Sequence, residues 1–533
     1  MAAGPGLTGP RHRMEKMSPH QILWVDDEID LLRPHLLFLR ERGYNVTPVG
    51  NGGDAVNLVR DRRFDLVLLD EFMPGLSGLE TLEAIKEISP NLPVIMITKS
   101  QEESLVDEAI GKRIDDFLIK PVNPVQVLSA CRRILDRKSI QSRQLTRDYV
   151  DEFGKNAARR AGQPTWQDWI DIHQNLSEWD VLIDEFPEET LRQTHADQRR
   201  ESNVEFVKFI ETHYRGWLRS EDRPVLSADI VRHFLVPELE RAPSVCFVVL
   251  DCMRFDQWLT IEPLLEPYFT IDRRGYYAIL PSATPYARNA LFAGLFPSEI
   301  HHKYPEYWQE IAEGERSKNR HERQLLDRQL ERLGIRLSPP AKYVKIYNTV
   351  EANNVRRQAR GYASQRLVSL VFNFMDMLAH GRSESEILQE IAPDESAFRS
   401  LTRSWFSHSA LFDILRVLAA QGITVVVTSD HGSVLGTRST VAYGDRQTST
   451  NLRYKFGNNL NCDERHALLI KDPEAYMLPA DSLNKNYILA EEDYFFVYPT
   501  KYHEYERQYR GSFQHGGISL EEMIIPCVVL GPK

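Results

Sequence analysis

The stretch LVLLDEFMPGLSGLETLEAIKEI (66–88) contains one complete unit of the fold. Leu66 to Leu69 form a short apolar run with the composition of a strand buried on both faces. Asp70 closes the run, Pro74 and Gly75 turn the chain, and apolar residues then recur three and four apart from Gly78 to Ile88, which predicts an amphipathic helix. Similar runs lie on either side: ILWV (22–25), YNVTPV (44–49), VIMIT (94–98) and DFLI (116–119), with a second amphipathic stretch at Asp54–Arg60. Five such alternations between Gln21 and Leu135 predict an α/β domain, a doubly wound (βα)5 parallel sheet with helices on both faces.

In such a sheet the carboxyl ends of the strands share one edge. Asp26 and Asp27 end the first strand and Asp70 ends the third, so their carboxylates converge. Three close carboxylates repel unless a hard divalent cation lies among them, and Mg2+ suits an all-oxygen site. With the charge neutralised, one aspartate can attack a phosphoryl donor. Thr98 ends the fourth strand, where its hydroxyl can hydrogen-bond a phosphoryl oxygen. Lys120 ends the fifth strand with its ammonium in reach of the same group, and the Lys120–Pro121 bond is a candidate cis peptide.

These residues resemble the response-regulator receiver family. VDDE (25–28), LLDEFMPGLSG (68–78), Thr98 and IKP (119–121) match its pattern in order and spacing. The resemblance implies Asp70 as phosphoacceptor and Asp26 and Asp27 as Mg2+ carboxylates. It further implies the backbone carbonyl of Phe72 as a Mg2+ ligand and Thr98 and Lys120 as switch residues. Phe117 stands where the family often has a rotating aromatic ring.

The chain has 533 residues, room for about three domains. A net charge of −11 weighs against an output held to DNA by a broad basic surface, while leaving a local basic groove open. The five cysteines (131, 246, 252, 462 and 527) contain no C-x-x-C pair, so neither a disulfide framework nor a cysteine zinc knuckle is expected, and a reducing compartment fits. Apolar runs such as Phe247–Leu250 are strand-length, so no membrane span is expected; with the cysteine pattern, the expected location is cytoplasmic. The opening MAAGPGLTGPRHRMEKM reads as a flexible leader (1–19).

Beyond the receiver (20–138), residues 139–241 read as a helical-bundle linker. Breaks are expected at Gly162-Gln-Pro164, at Phe186-Pro187 and near Pro224, with Trp166, Trp169, Trp179 and Trp217 filling the bundle core. Its early basic residues, Lys138 to Arg160, read as a solvated face. From 242 to 533 the α/β pattern returns, with strands expected at VCFVVL (245–250), YYAIL (276–280), ITVVVT (423–428), FFVY (495–498) and IIPCVVL (524–530). Helices are expected across 301–400.

A second set of chemistry-bearing residues falls at the ends of these elements. Asp251 ends VCFVVL, Asp430 and His431 follow ITVVVTS, and His515 precedes the final strand. Asp376 and His380 are spaced i, i+4 in NFMDMLAH, on one helix face. Three Asp and three His supply six ligands, enough for two metal ions, and mixed imidazole–carboxylate ligation suits Zn2+. Two cations side by side clamp an in-line displacement at phosphorus. Thr284, at an expected helix start in SATPYARNALFAG, is then the nucleophile, favoured by the helix amides.

This constellation resembles the alkaline phosphatase superfamily and, within it, the PglZ domain, through LDCMRFD (250–256), TSDHG (428–432) and HGGISLEE (515–522). The resemblance implies one Zn2+ on Asp251, Asp430 and His431, a second on Asp376, His380 and His515, and Thr284 bridging them. One departure stands out. Related nucleotide phosphodiesterases carry a phosphate-binding Asn some way after the nucleophile, where this chain reads SEIHHKYPEY (298–307). His301, His302 and Lys303 are either substitutes or ordinary surface residues. Arg254 either touches substrate phosphate or pairs with Asp256, and Cys252 is expected to turn into the core.

Receiver, helical linker and PglZ domain together look like the PorX-like response regulators. That resemblance implies a sensor histidine kinase partner, a phosphorylation-promoted homodimer, nucleotide or oligonucleotide phosphodiesters as substrates, and a role in type IX secretion. The switch surface is expected around Glu102–Gly111 and Val125–Arg137. The rival reading is a non-catalytic signalling scaffold whose zinc domain binds a partner protein such as a sigma factor. Sequence-specific DNA binding is not expected, since no helix-turn-helix with a basic recognition helix follows the receiver.

Overall fold

Apolar alternation decides which way each strand faces, and the chain obeys it twice. A computed structural model describes residues 20–90, 92–99, 114–135, 137–185, 189–308, 319–444, 451–482, 484–500 and 502–533. They fall into two compact units, Met1–Asp148 and Tyr149–Lys533.

In the first unit β1 (Gln21–Val25), β2 (Asn45–Val49), β3 (Leu66–Asp70), β4 (Val94–Thr98) and β5 (Asp116–Ile119) form one sheet in the order β2-β1-β3-β4-β5. All neighbouring pairs are parallel. Ile22, Trp24, Leu66, Leu68, Ile95 and Ile97 face one core with Leu39 and Val127; Leu23, Val25, Val67, Leu69 and Val94 face the other with Ala55, Leu82 and Ile85. The helix Gly78–Ile88 begins with a capping box in which Ser77 and Glu80 satisfy each other's backbone N–H groups. A Cβ on Gly78 would lie 2.4 Å from the carbonyl oxygen of Asp70, so only glycine lets the helix start this close to the third strand. The expected cis bond at Lys120–Pro121 is present. The expected switch surface Glu102–Gly111 lies outside the described residues.

In the second unit the central sheet contains β6 (Val245–Leu250), β7 (Phe269–Tyr277), β8 (Lys342–Ile346), β9 (Leu367–Phe372), β10 (Thr424–Thr428) and the C-terminal strand Ile524–Pro532. Its order is β7, C-terminal strand, β10, β6, β9, β8. The strands β10, β6, β9 and β8 run parallel, and the C-terminal strand is antiparallel to both neighbours. Val245, Phe247 and Val249 join one core, Cys246, Val248 and Leu250 the other.

The helices Arg137–Ala161, Trp166–Glu185 and Glu189–Trp217 break near the anticipated prolines; Phe186-Pro187 itself lies outside the described residues. Trp179 packs edge-on against Tyr149 among these helices, but the other three tryptophans do not form an isolated bundle core. Trp169, Ile172, Phe206 and Trp217 pack in the same core as Val245, Phe247, Tyr276 and Tyr277. A helix pair with one broad apolar face buries more area on a sheet than on itself.

Three strand expectations shift. The strand expected at 276–280 is Phe269–Tyr277, an outer strand whose charged residues Asp272, Arg273 and Arg274 lie in its alternating, partly exposed stretch and mask the pattern. The 301–400 region, read as helical, contributes β8 and β9, because LVSLVF is a fully buried central strand with no alternation to betray it. FFVY belongs to a small side sheet, where Tyr494–Val497 pairs with Arg438–Tyr443. Among the described residues no helix is long and apolar enough to cross a membrane.

Candidate phosphoacceptor and metal sites

In the first unit Asp26, Asp27 and Asp70 offer carboxylate oxygens that all lie within 4.8 Å of one another at the carboxyl ends of β1 and β3. Asp26 and Asp70 are buried, Asp27 is exposed. The Lys120 ammonium sits 2.9 Å from Asp26 Oδ2 and 2.9 Å from Asp70 Oδ1. Burial pushes the Asp70 carboxyl up, and the neighbouring Asp26 and Asp27 charges add to this against the opposing pull of Lys120. Burial works against the Lys120 charge, but its bonds to Asp26 and Asp70 outweigh that and raise its pKa. Thr98 is buried at the end of β4, while Phe117 and the Phe72 side chain are partly exposed. One Lys cannot neutralise three carboxylates, so this donor set fits a hard dication, which Asp26, Asp27, Asp70 and the Phe72 carbonyl would hold.

In the second unit β6 and β10 lie side by side, so their carboxyl ends deliver Asp251 and Asp430–His431 to one point. Asp251, Asp430 and His431 are fully buried and present ligand atoms within 4.8 Å of one another. Asp376 and His380 come from the helix Phe374–Glu384 that follows β9, and His515 follows the short strand Ser512–Gln514, which pairs with Val434–Gly436 beyond His431. These three form a second group on the same distance criterion. His380 Nε2 lies 3.1 Å from His515 Nε2 and 3.2 Å from Asp376 Oδ1.

Thr284 opens the helix Thr284–Ala293, every residue of which is buried. Its hydroxyl lies 2.9 Å from His431 Nε2 and 3.3 Å from Asp251 Oδ1. His431 Nδ1 donates to the Gly432 carbonyl at 3.0 Å, which leaves Nε2 as the unprotonated nitrogen aimed at Thr284. Burial lowers the His431 pKa and keeps the ring neutral, the form in which imidazole binds metal.

Burial raises the Asp251 carboxyl well above its ordinary value, against the pull of Arg288. Burial also pushes Asp376 up, but the bonds and charges of His380 and His515 prevail and hold it well below its ordinary value. Asp430 Oδ2 is buried without a hydrogen-bond donor. A buried carboxylate oxygen left in that state is costly unless a cation meets it, so the oxygen and imidazole donors here fit metal cations.

Several alternatives left open by the sequence resolve here. Arg254 is buried against Asp256, with Nη2 to Oδ2 at 2.8 Å, and pairs also with Glu395. Cys252 is buried; its left-handed backbone (φ 66°) turns the chain so that its N–H donates to Asp430 Oδ1 at 3.3 Å. His301 pairs with Asp481 at 3.3 Å, and His302 bonds the Ser298 carbonyl at 2.7 Å, so both serve their own helix surroundings.

Four site neighbours escaped the sequence reading. Asn373 Nδ2 donates to Asp251 Oδ2 at 2.8 Å, Asn319 Nδ2 donates to the Thr284 carbonyl at 3.2 Å, and Arg288 bridges Asp251 and Glu322. A charged residue inside an otherwise apolar helix start, as in TPYARNALFA, was the available signal for Arg288.

Comparison with known families finds three matches. Residues 22–132 match the response regulator receiver domain, residues 139–218 the PorX response regulator linker domain, and residues 231–530 the BREX system PglZ alkaline phosphatase-like domain. The chain is 31% identical over 153 residues to the probable transcriptional regulatory protein TcrX of Mycobacterium tuberculosis, covering 27% of this chain and 64% of that protein. It is 32% identical over 126 residues to the transcriptional regulatory protein ResD of Bacillus subtilis, covering 24% of this chain and 52% of that protein. The chain thus spans between half and two thirds of the length of these curated relatives. Among solved structures it is similar to the chemotaxis protein CheY4 of Vibrio cholerae, at 27% identity over 22% of this chain and 99% of that one, with a TM-score of 0.21. It is likewise similar to the receiver domain of NtrX from Brucella abortus, at 32% identity over 22% and 98%, with a TM-score of 0.21.

Proposed function

Because the chain belongs to the family of the BREX system PglZ alkaline phosphatase-like domain, with a receiver domain and a PorX linker domain ahead of it, we propose that it is a response regulator whose phosphorylation at Asp70 controls a two-zinc phosphodiesterase. The observation that carries this reading is the meeting of Asp251, Asp430 and His431 with Asp376, His380 and His515 beside Thr284. Bound Zn2+ would supply Lewis acidity at the phosphoryl oxygens and at the leaving oxygen. Thr284 gives up its hydroxyl proton to solvent and forms a bond to phosphorus as the ester oxygen leaves and takes up a proton; water then breaks the phosphothreonine P–O bond, leaving the phosphate on the product and a proton back on the Thr284 oxygen. The N–H groups that open the Thr284–Ala293 helix favour the negative charge of the transferring group.

At the other site Asp70 attacks the phosphoryl group of a donor, for which a sensor histidine kinase is the chemical match, and the donor's phosphoryl bond breaks as the new one forms. Mg2+ on Asp26, Asp27 and the Phe72 carbonyl would screen the charge, while Lys120 and Thr98 hold the phosphoryl oxygens. Phosphorylation then promotes homodimerisation and changes the hydrolase. The substrates are nucleotide or oligonucleotide diesters, the location is cytoplasmic, and the output is type IX secretion, as the resemblance to PorX-like response regulators implies; the linker match supports that resemblance.

Turnover of bis-p-nitrophenyl phosphate against p-nitrophenyl phosphate, by protein stripped of metal and reloaded with zinc, tests the reading. Preference for the diester with two zinc ions bound supports it; no turnover of either by the reloaded protein sinks it.

A further inference from the structure

The hydrolase site described above has a candidate nucleophile and two sets of cation ligands, but in SEIHHKYPEY (298–307) His301 and His302 are taken up by their own surroundings and Lys303 is exposed at the end of its helix. We propose that Arg288 is the group for the phosphoryl oxygens: a buried guanidinium that binds the substrate phosphate and the charge that develops on it. The inference rests on the diesterase reading and deepens it.

Arg288 lies one helical turn after Thr284, so the two side chains share a face of the helix Thr284–Ala293 and lean toward its start. Its side chain is 2% exposed. Nε donates to Glu322 Oε1 at 2.8 Å, and Glu322 is itself held by Lys345 Nζ at 3.1 Å and by the Tyr343 hydroxyl. Anchored from behind, the guanidinium cannot swing away from the site. Its Nη1 lies 2.6 Å from Asp251 Oδ2 and 3.8 Å from Asp430 Oδ2.

Those are charge contacts. Nη1 is a buried donor that meets Asp251 as an ion pair but has no well-formed hydrogen bond, and Asp430 Oδ2 lies beyond hydrogen-bonding reach. Buried donors are nearly always satisfied, and one left open beside a nucleophile is a binding position for an acceptor. The planar fork of arginine matches tetrahedral phosphate oxygens and keeps its charge at every working pH. The competing role is balance of charge on Asp251 alone, which would make Arg288 a positioning residue for a metal ligand.

The test compares Arg288→Met, Arg288→Lys and Glu322→Gln with the unaltered chain, each loaded with zinc. Zinc affinity is read by competition with a chromophoric chelator, inorganic phosphate binding by calorimetry, and diester turnover with KM and kcat separated. The expected result for Arg288→Met is unchanged zinc affinity, phosphate binding weakened at least tenfold, and kcat lowered by roughly 10²-fold. Arg288→Lys restores part of both, and Glu322→Gln falls between. Phosphate binding equal to that of the unaltered chain overturns the proposal, as does a loss that merely follows lost zinc. Should Arg288→Met fail to fold, the Lys and Gln variants decide by the same readings. Phosphate binding is measurable even if no diester is turned over, so failure of the diesterase reading and failure of this inference are separable.

Discussion

The imidazole rings of His431 and His515 lie face to face, with centroids 4.3 Å apart and planes 21° from parallel. His431 belongs to the group with Asp251 and Asp430, His515 to the group with Asp376 and His380. The stack therefore joins the two groups and brings both beside Thr284, as a two-cation displacement at phosphorus requires.

Removing one ring should empty one position. His515→Ala is expected to bind one zinc ion fewer per chain and to lose diester turnover by roughly 10³-fold. Elemental analysis of the purified variant beside the unaltered chain checks this. Full metal content in the variant would place His515 outside the ligand set.

Thr284→Ala should keep both zinc ions and the thermal midpoint yet lose turnover by roughly 10³-fold, since the hydroxyl proposed as nucleophile is gone. Thr284→Ser should keep part of it. Assay of the signalling output in cells carrying Thr284→Ala separates the enzyme from a scaffold, because a scaffold would signal undiminished.

Asp70→Asn should abolish incorporation of phosphate from a small-molecule donor such as acetyl phosphate. Lys120→Ala should leave the acceptor in place but weaken its response, because the ammonium that bridges Asp26 and Asp70 is lost. Phosphate-affinity electrophoresis with and without Mg2+ reads both. Label persisting on Asp70→Asn would move the acceptor elsewhere.

Gly432→Ala should damage the site without touching a ligand. An added Cβ would lie 1.9 Å from the Glu521 carbonyl oxygen, a backbone atom that cannot rotate away. Gly432 also accepts the His431 Nδ1 hydrogen bond, so the shift reaches the imidazole. A lowered melting temperature with weakened zinc binding is the expected outcome of a thermal scan and a metal titration.

Acid should destabilise the second unit through His173. Its ring packs edge-on to Phe255, both nitrogens are buried without a partner, and burial followed by the Arg199 charge pushes its pKa down to about 3. The unfolded chain takes up a proton near pH 6.5 that the folded chain refuses, so stability is full above that pH and falls as the pH drops toward 3. At pH 5 the loss is about 2 kcal/mol. His173→Leu should flatten the decline between pH 7 and 5 in denaturant titrations; an unchanged slope would assign the acid sensitivity to other groups.

The receiver was legible almost residue by residue. Its sheet is built from consecutive strands, and Asp26, Asp27, Asp70, Thr98 and Lys120 each end one, so chain order alone brings them to one edge. In the hydrolase the same logic found Asp251 and Asp430–His431, but β8 and β9 were hidden. LVSLVF is buried on both faces and carries no alternation, and the charges of Phe269–Tyr277 concealed a strand.

The amino-acid sequence alone determined the receiver's parallel βα architecture, the candidate ligand set and the candidate nucleophile, because those residues fall at the ends of strands or at regular helical spacing. Only the tertiary structure decided that Arg288 faces Asp251 and is braced by Glu322, that Arg254 is taken up by Asp256, and that the linker helices share a core with the hydrolase sheet. Those contacts join segments far apart in the chain. No local periodicity records them, because they are fixed by which buried charges and apolar faces find partners when the layers close.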